Sequence, residues 1–167
     1  VLMDSVPLIN ADDLWQLDRN GRSCSGSAGI SGRQIEEIEE GEIVDESSAS
    51  PCLTGSGIKI GIIDTGVDYT HQDLGGCFGE NCKVIGGYDF FNEDEDPIDD
   101  YGHGTHVAAT AAGNGVLKGV APDASIVAYK VLNQYGSGYF DDVIAAIERS
   151  VDPNQDGDFS DKLDVIS

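Results

Sequence analysis

Two side chains with complementary proton chemistry each sit in a glycine-flanked motif. Asp64 lies in Ile63-Asp64-Thr65-Gly66-Val67-Asp68, and His103 lies in Gly102-His103-Gly104-Thr105-His106. An imidazole titrates near neutrality, and a carboxylate beside it holds one tautomer, so the two read as a general-base couple for an attacking hydroxyl. No serine stands in a nucleophile motif of its own. Ser137, in Tyr135-Gly136-Ser137-Gly138-Tyr139, lacks the Gly-x-Ser-x-Gly spacing. Two other chemistries compete for these residues. Asp-Thr-Gly also marks proteases that pair two carboxylates, but those need two such loops in an all-β fold. Here there is one copy, Val67 follows it, and helical patterns lie downstream. His103 and His106 are spaced as a metal pair could be, yet no His-Glu-x-x-His pattern exists and His71 is the only other histidine. The plain readings are a turn-forming Asp64 and a structural His103 at a helix start.

A second chemistry is that of hard cations. Asp152, Asn154, Asp156, Asp158 and Asp161 surround Gly157 in a pattern matching the opening half of an EF-hand loop. The closing position, where a bidentate Glu belongs, is Leu163, and a strand pattern follows in place of a helix, so this is no EF-hand. The donor set still suits Ca2+, which takes roughly six to eight flexible oxygens. An earlier acidic run, over 89–100, includes Asp89, Asp94, Asp96 and Asp99 just ahead of His103 and is another calcium candidate. For both loops the plain reading is a solvated acidic surface.

These residues need a frame to position them. Strands are expected at 58–63, 83–89 and 124–132, with a last one beginning near Leu163. Helices are expected at 103–113 and at 139–151, where Val143, Ile144, Ile147 and Val151 recur at helical spacing. Near-continuous apolar strands alternating with helices predict an α/β domain with a mainly parallel sheet covered on both faces. Ligands of such sheets sit at the carboxyl ends of the strands, where Asp64 falls. Leu163-Asp164-Val165-Ile166-Ser167 reads as a buried strand that stops as it begins. An apolar edge left open there predicts that the sheet is truncated and continues in a longer chain. Ahead of this domain (57–167), residues 1–23 carry a helix candidate at 11–17, with Asn10 as N-cap and Trp15 as an anchor onto the domain. Residues 24–56, rich in Gly, Ser and Glu, read as an insertion or linker with a possible helix at 33–40.

The net charge of −22, from 31 acids against 9 bases in 167 residues, argues against nucleic-acid or anionic-membrane partners. It fits solubility, cation binding or a salty environment. No apolar run is long enough for a membrane span. Cys24, Cys52, Cys77 and Cys82 form no Cys-x-x-Cys pair; of the three possible connectivities we favour 24–52 with 77–82, against four reduced thiols. Disulfides would place the protein outside the cell or in its envelope.

Four blocks in order, 60–74 (IGIIDTGVDYTHQDL), 102–113 (GHGTHVAATAAG), 119–132 (GVAPDASIVAYKVL) and 164–167 (DVIS), resemble the subtilisin-like serine proteases over about residues 55–167. The resemblance implies a subtilisin-like three-layer domain, truncated after its first few βα units. It implies that Asp64 orients His103, and that His103 acts as base and then acid for a serine. Gly136, Ser137 and Gly138 would form an edge strand pairing with substrate backbone, with Leu132 and Phe140 beside a pocket for a side chain upstream of the cut. Polypeptide substrates, a propeptide, structural Ca2+ and secretion are implied as well. Asp73 matches a further calcium ligand, but the 114–116 loop that should complete that site is short. The family's nucleophile block and oxyanion-hole asparagine lie beyond the last block present, so this chain alone is expected to be inactive. The alternatives are a non-catalytic calcium-binding extracellular module or pseudoprotease of the same fold, or a calcium-binding structural protein in which Asp64 and His103 are incidental.

Overall fold

Strands β1 (Lys59–Asp64), β2 (Val84–Asp89), β3 (Ser125–Lys130) and β4 (Val165–Ile166) form one sheet in the order β2-β3-β1-β4, with every pairing parallel. The computed structural model describes residues 11–21, 23–24 and 52–167. Helix α1 (Ala11–Leu14) precedes the sheet, α2 (His103–Ala112) links β2 to β3, and α3 (Phe140–Arg149) links β3 to β4. The expected α/β sheet is therefore present.

The strands read as nearly unbroken apolar runs because both faces of the sheet are covered. Side chains alternate along β3. Ile126 and Ala128 join Ile60, Ile62, Val84, Ala108 and Ala112 in a core under α2. Val127 and Tyr129 point the other way and pack with Val131, Ala146 and Leu163 under α3. Small residues let α2 sit close: its buried positions are Gly104, Ala108 and Ala112. In α3, Asp141 and Asp142 in the first turn and Arg149 in the last complement the helix dipole.

Several boundaries differ from expectation. β3 ends at Lys130, because Leu132 turns away to bridge antiparallel with Gly138. The N-terminal helix is a single turn, after which Leu17 bridges Ser23. The apolar stripe of α3 is not its buried face: Val143 packs on the core, whereas Phe140, Ile144, Ile147 and Val151 are exposed. Helical spacing gives the stripe but not the side that meets the sheet. The candidate helix at 33–40 lies outside the described residues.

The N-terminal segment docks behind α2. Ala11 is buried, the Trp15 indole Nε1 donates to the Val120 carbonyl at 2.9 Å, and Lys118 lies over the ring at 5.8 Å. Cys24 and Cys52 are disulfide-bonded with Cα atoms 5.2 Å apart, and Leu53 N donates to Leu17 O beside them at 2.9 Å. Cys77 and Cys82 form the second disulfide, so the expected connectivity is the one present. Among the described residues no helix is long and apolar enough to cross a membrane.

Candidate active site

Asp64 is the last residue of β1, and His103 is the first of α2. The helix start presses directly onto the turn that follows Asp64: a Cβ on Gly104 would lie 2.1 Å from the Gly66 carbonyl oxygen. Gly104 thus makes room for this chain's own turn. Gly102, at φ 101°, turns the chain into the helix and offers no side-chain cap.

The two motifs meet. His103 Nδ1 stands 2.8 Å from both carboxylate oxygens of Asp64, across 39 residues of sequence. Asp64 Oδ1 also accepts the Thr65 N–H at 2.7 Å. An ionised carboxylate can only accept, so the Nδ1 of a neutral His103 carries the proton and Nε2 keeps a free lone pair. The imidazole is 61% exposed and the carboxylate 13%. The base is therefore open to a reactant while its orienting partner is mostly withdrawn from water.

Two polar residues that the sequence reading had not given roles in the site hold this geometry. Asp99 accepts from the Thr65 hydroxyl (2.8 Å), Tyr101 N (2.9 Å), Gly102 N (2.8 Å), Thr105 N (2.9 Å) and the Thr105 hydroxyl (2.5 Å). Partial burial pushes its pKa up. The hydrogen bonds from Gly102, Thr105 and Tyr101 outweigh that and hold it below the ordinary value, so it stays ionised. Lys130, 1% exposed, pairs in register with Asp64. Its Nζ donates to Thr65 O (2.7 Å), Leu132 O (2.8 Å) and Asp100 Oδ1 (2.6 Å). A lysine at the end of an apolar strand was the visible signal for one, and an Asp three residues before a helix-opening glycine for the other.

The remaining predicted residues fall in three places. Leu132 and Gly136, Ser137 and Gly138 form a tight turn at the carboxyl end of β3, with no regular strand at 136–138. Asn133 Oδ1 accepts Tyr135 N (2.9 Å) and Ser137 N (3.2 Å). A Cβ on Gly138 would lie 1.9 Å from Val131 O, so this glycine too answers to its own chain. Phe140 opens α3 at 88% exposure, and Tyr101 lies against Gly136.

In the first acidic run, buried Asp89 accepts from Asn92 N (2.9 Å) and Nδ2 (2.8 Å), Asp94 accepts from Asp96 N (2.9 Å), and Asp96 accepts the Tyr69 hydroxyl (2.6 Å). These carboxylates shape a turn. Asp73 is likewise engaged, taking Val116 N at 2.6 Å, so the short 114–116 loop packs onto it directly.

In the second acidic run, Asp152 takes Asp156 N (3.2 Å) and Gly157 N (3.0 Å), and Asn154 takes Asp156 N (3.0 Å). Asp156 takes Asp158 N (2.7 Å), and Asp158 takes Ser160 N (3.0 Å). Positive φ at Gln155 and Gly157 winds this loop tightly. Asp161 Oδ1 is buried without a hydrogen-bond partner, the condition a cation would relieve. The oxygen donors suit calcium, although among the described residues no three acidic, His or Cys side chains converge on one point.

The parallel α/β sheet thus delivers an Asp from a strand end to a His at a helix start, an arrangement able to move a proton. Comparison with known proteins makes this specific: the subtilase family model matches residues 55–167, and the chain belongs to that family. It is 51% identical over 163 residues to the minor extracellular protease Vpr of Bacillus subtilis, covering 92% of this chain and 15% of that protein. Against the serine protease AprX of the same organism it is 38% identical over 120 residues, covering 69% of this chain and 25% of that one. Among solved structures it is similar to Sphericase, with a TM-score of 0.52, 44% identity, and coverage of 60% of this chain and 33% of that one. It is also similar to a cold-adapted subtilisin-like serine proteinase, at a TM-score of 0.50 and 38% identity over 57% of this chain and 32% of that one. The chain thus spans well under two thirds of these relatives, and it contains no serine in the family's nucleophile motif.

Proposed function

We propose that this chain supplies the proton-handling part of a subtilisin-type serine endopeptidase. One observation carries the reading: the Asp64–His103 contact at 2.8 Å, which leaves Nε2 as an exposed base. In this account His103 Nε2 takes the proton of a serine hydroxyl as that oxygen attacks the scissile carbonyl. It then returns the proton to the leaving amine, while Asp64 stabilises the imidazolium formed in between. The serine and the oxyanion-hole donor come from sequence outside this chain, so the chain alone hydrolyses nothing. Substrates are polypeptides, with backbone lying along Gly136, Ser137 and Gly138 and an upstream side chain near Leu132 and Phe140. A propeptide would use the same cleft.

Calcium is the cofactor of this reading, for which Asp152, Asn154, Asp156, Asp158 and Asp161 are the candidate ligands; drawing them together around it would neutralise a crowded acidic loop and stiffen the connection from α3 to β4. The orphaned Asp161 Oδ1 supports this assignment. An extracellular setting is supported by the two disulfides and by the similarity to a protease whose name calls it extracellular. The test is peptide hydrolysis by the chain extended through a subtilase serine block. Asp64→Ala and His103→Ala are each expected to lower kcat by about 10⁴-fold or more. Undiminished hydrolysis in those variants would leave a fold whose Asp and His are incidental.

A further inference from the structure

Asp64 and His103 reach each other from different elements, and beside the couple the helix start meets the strand-end turn backbone to backbone. Where α2 meets the turn after β1, Gly104 faces the Gly66 carbonyl, and a Cβ on Gly104 would also lie 3.1 Å from Asp64 Cβ. This contact sets how closely the helix start approaches the turn, and Ala108 and Ala112 seat the helix further along, but neither fixes the orientation of the first turn that carries His103. A small rotation of α2 would swing the His103 ring off the Asp64 carboxylate.

Hydrogen bonds supply the missing constraint. The Thr65 hydroxyl donates to Asp99 Oδ1 at 2.8 Å and accepts the Gly104 N–H at 2.9 Å. Asp99 takes Gly102 N on the same oxygen and both donors of Thr105 on the other. Thr105 Oγ1 in turn accepts Asp68 N at 2.8 Å, returning to the strand-end turn. The network thus grips Thr65 next to Asp64, and Gly102 and Gly104 on either side of His103. The negative charge of Asp99 lies at the amino end of α2, where the helix dipole favours it and where Gly102 offers no side-chain cap.

We propose that Asp99 and the Thr65 hydroxyl are positioning residues that hold the His103 ring in register on Asp64, without touching reacting atoms themselves. This rests on Asp64 and His103 being the proton-handling couple.

The test reads the ring directly in the 167-residue chain, with no need for hydrolysis. Nitrogen-15 shifts of the His103 ring, detected through its carbon-bound protons at a pH where the ring is neutral, report the share of Nδ1–H tautomer. The unaltered chain should be mostly Nδ1–H. Thr65→Val, which keeps the volume and removes only the hydroxyl, should shift the ring toward the Nε2–H form that free histidine prefers, and so should Asp99→Ala. Thr65→Ser, which keeps the hydroxyl, should hold most of the Nδ1–H share. A dispersed amide spectrum and an unmoved Trp15 indole signal would show each variant folded, and Thr65→Val decides the matter if Asp99→Ala does not fold. A folded Thr65→Val chain with unchanged ring shifts would overturn the proposal. Asp64→Asn separates the two levels. If it leaves the tautomer unchanged, the couple itself fails and this proposal falls with it. If it shifts the tautomer while Thr65→Val does not, only the positioning role is lost.

Discussion

The Gly104 backbone and the Gly66 carbonyl fit together so closely that a Cβ at position 104 would stand 2.1 Å from that oxygen. This contact allows a helix start and a strand-end turn to bring Nδ1 within 2.8 Å of a carboxylate. Gly104→Ala is therefore expected to force α2 outward. Overpacking of this kind costs about 1–3 kcal/mol. A lowered urea midpoint together with loss of the His103 Nδ1–H form would show both consequences at once. Unaltered stability would mean that the turn yields easily.

Lys130 ties three backbone and side-chain acceptors at the carboxyl end of β3. Lys130→Met keeps the volume but strips hydrogen bonds from Thr65 O, Leu132 O and Asp100. Leaving the buried Thr65 carbonyl and the part-buried Leu132 carbonyl unpaired costs about 1–3 kcal/mol each, offset in part by relief of a buried charge. A net loss of about 2–3 kcal/mol in chemical denaturation is expected.

Alkaline pH should act in two opposite windows. Burial pushes Lys83 down to about 8 from 10.5, only partly countered by Asp123. Between those values the unfolded lysine binds a proton that the folded one does not, so stability rises with pH. Tyr69 is pushed up to about 12 from 10.0, chiefly by its hydrogen bond to Asp96, with burial and the charges of Asp96 and Asp68 adding to it. Tyr129 rises to about 12 mainly through burial, with Arg149 opposing and Asp161 reinforcing. Above pH 10 the folded state keeps protons that the unfolded chain releases, so stability falls. The urea midpoint should climb from about pH 8 and turn downward above pH 10, and Lys83→Met should remove only the climb.

Calcium should stabilise through the 152–161 loop. At a concentration about 100 times its dissociation constant it would add about 2.7 kcal/mol, seen as a higher Tm that EDTA reverses. Asp152→Asn combined with Asp156→Asn should flatten that response. A melting curve indifferent to both calcium and EDTA would dismiss the site.

The Cys24–Cys52 disulfide closes a sequence separation of 28 residues beside the docked Trp15 segment. Replacing both cysteines with serine should cost about 3 kcal/mol in the chain-entropy account. Trp15→Phe, which removes the indole bond to Val120, should cost about 1 kcal/mol. Thermal melts under non-reducing conditions would measure both.

Local features made much of this molecule readable before its structure. Apolar runs gave β1, β2 and β3, and the two glycine-flanked motifs gave Asp64 and His103. What stayed hidden depends on three-dimensional neighbours. The donors to Asp99 include a hydroxyl 34 residues upstream, which no local pattern connects to it. Lys130 carried no role in the sequence because its three acceptors gather only when the Thr65, Leu132 and Asp100 segments meet. Gly104 and Gly138 are required by this chain's own carbonyls, of Gly66 and Val131, which no local pattern announces. In α3 the helical period is plain, while the face that meets the sheet is set by Val143 and Ala146 and not by the larger stripe around Ile144 and Ile147.

The most direct measurement is covalent labelling by a serine-directed phosphonate, because it reads nucleophile activation without depending on any particular peptide. The 167-residue chain should remain unlabelled. The chain extended through a subtilase serine block should be labelled at that serine, and His103→Ala should reduce the rate by several orders of magnitude. Labelling of the 167-residue chain itself, or labelling of the extended chain that is indifferent to His103, would contradict the account.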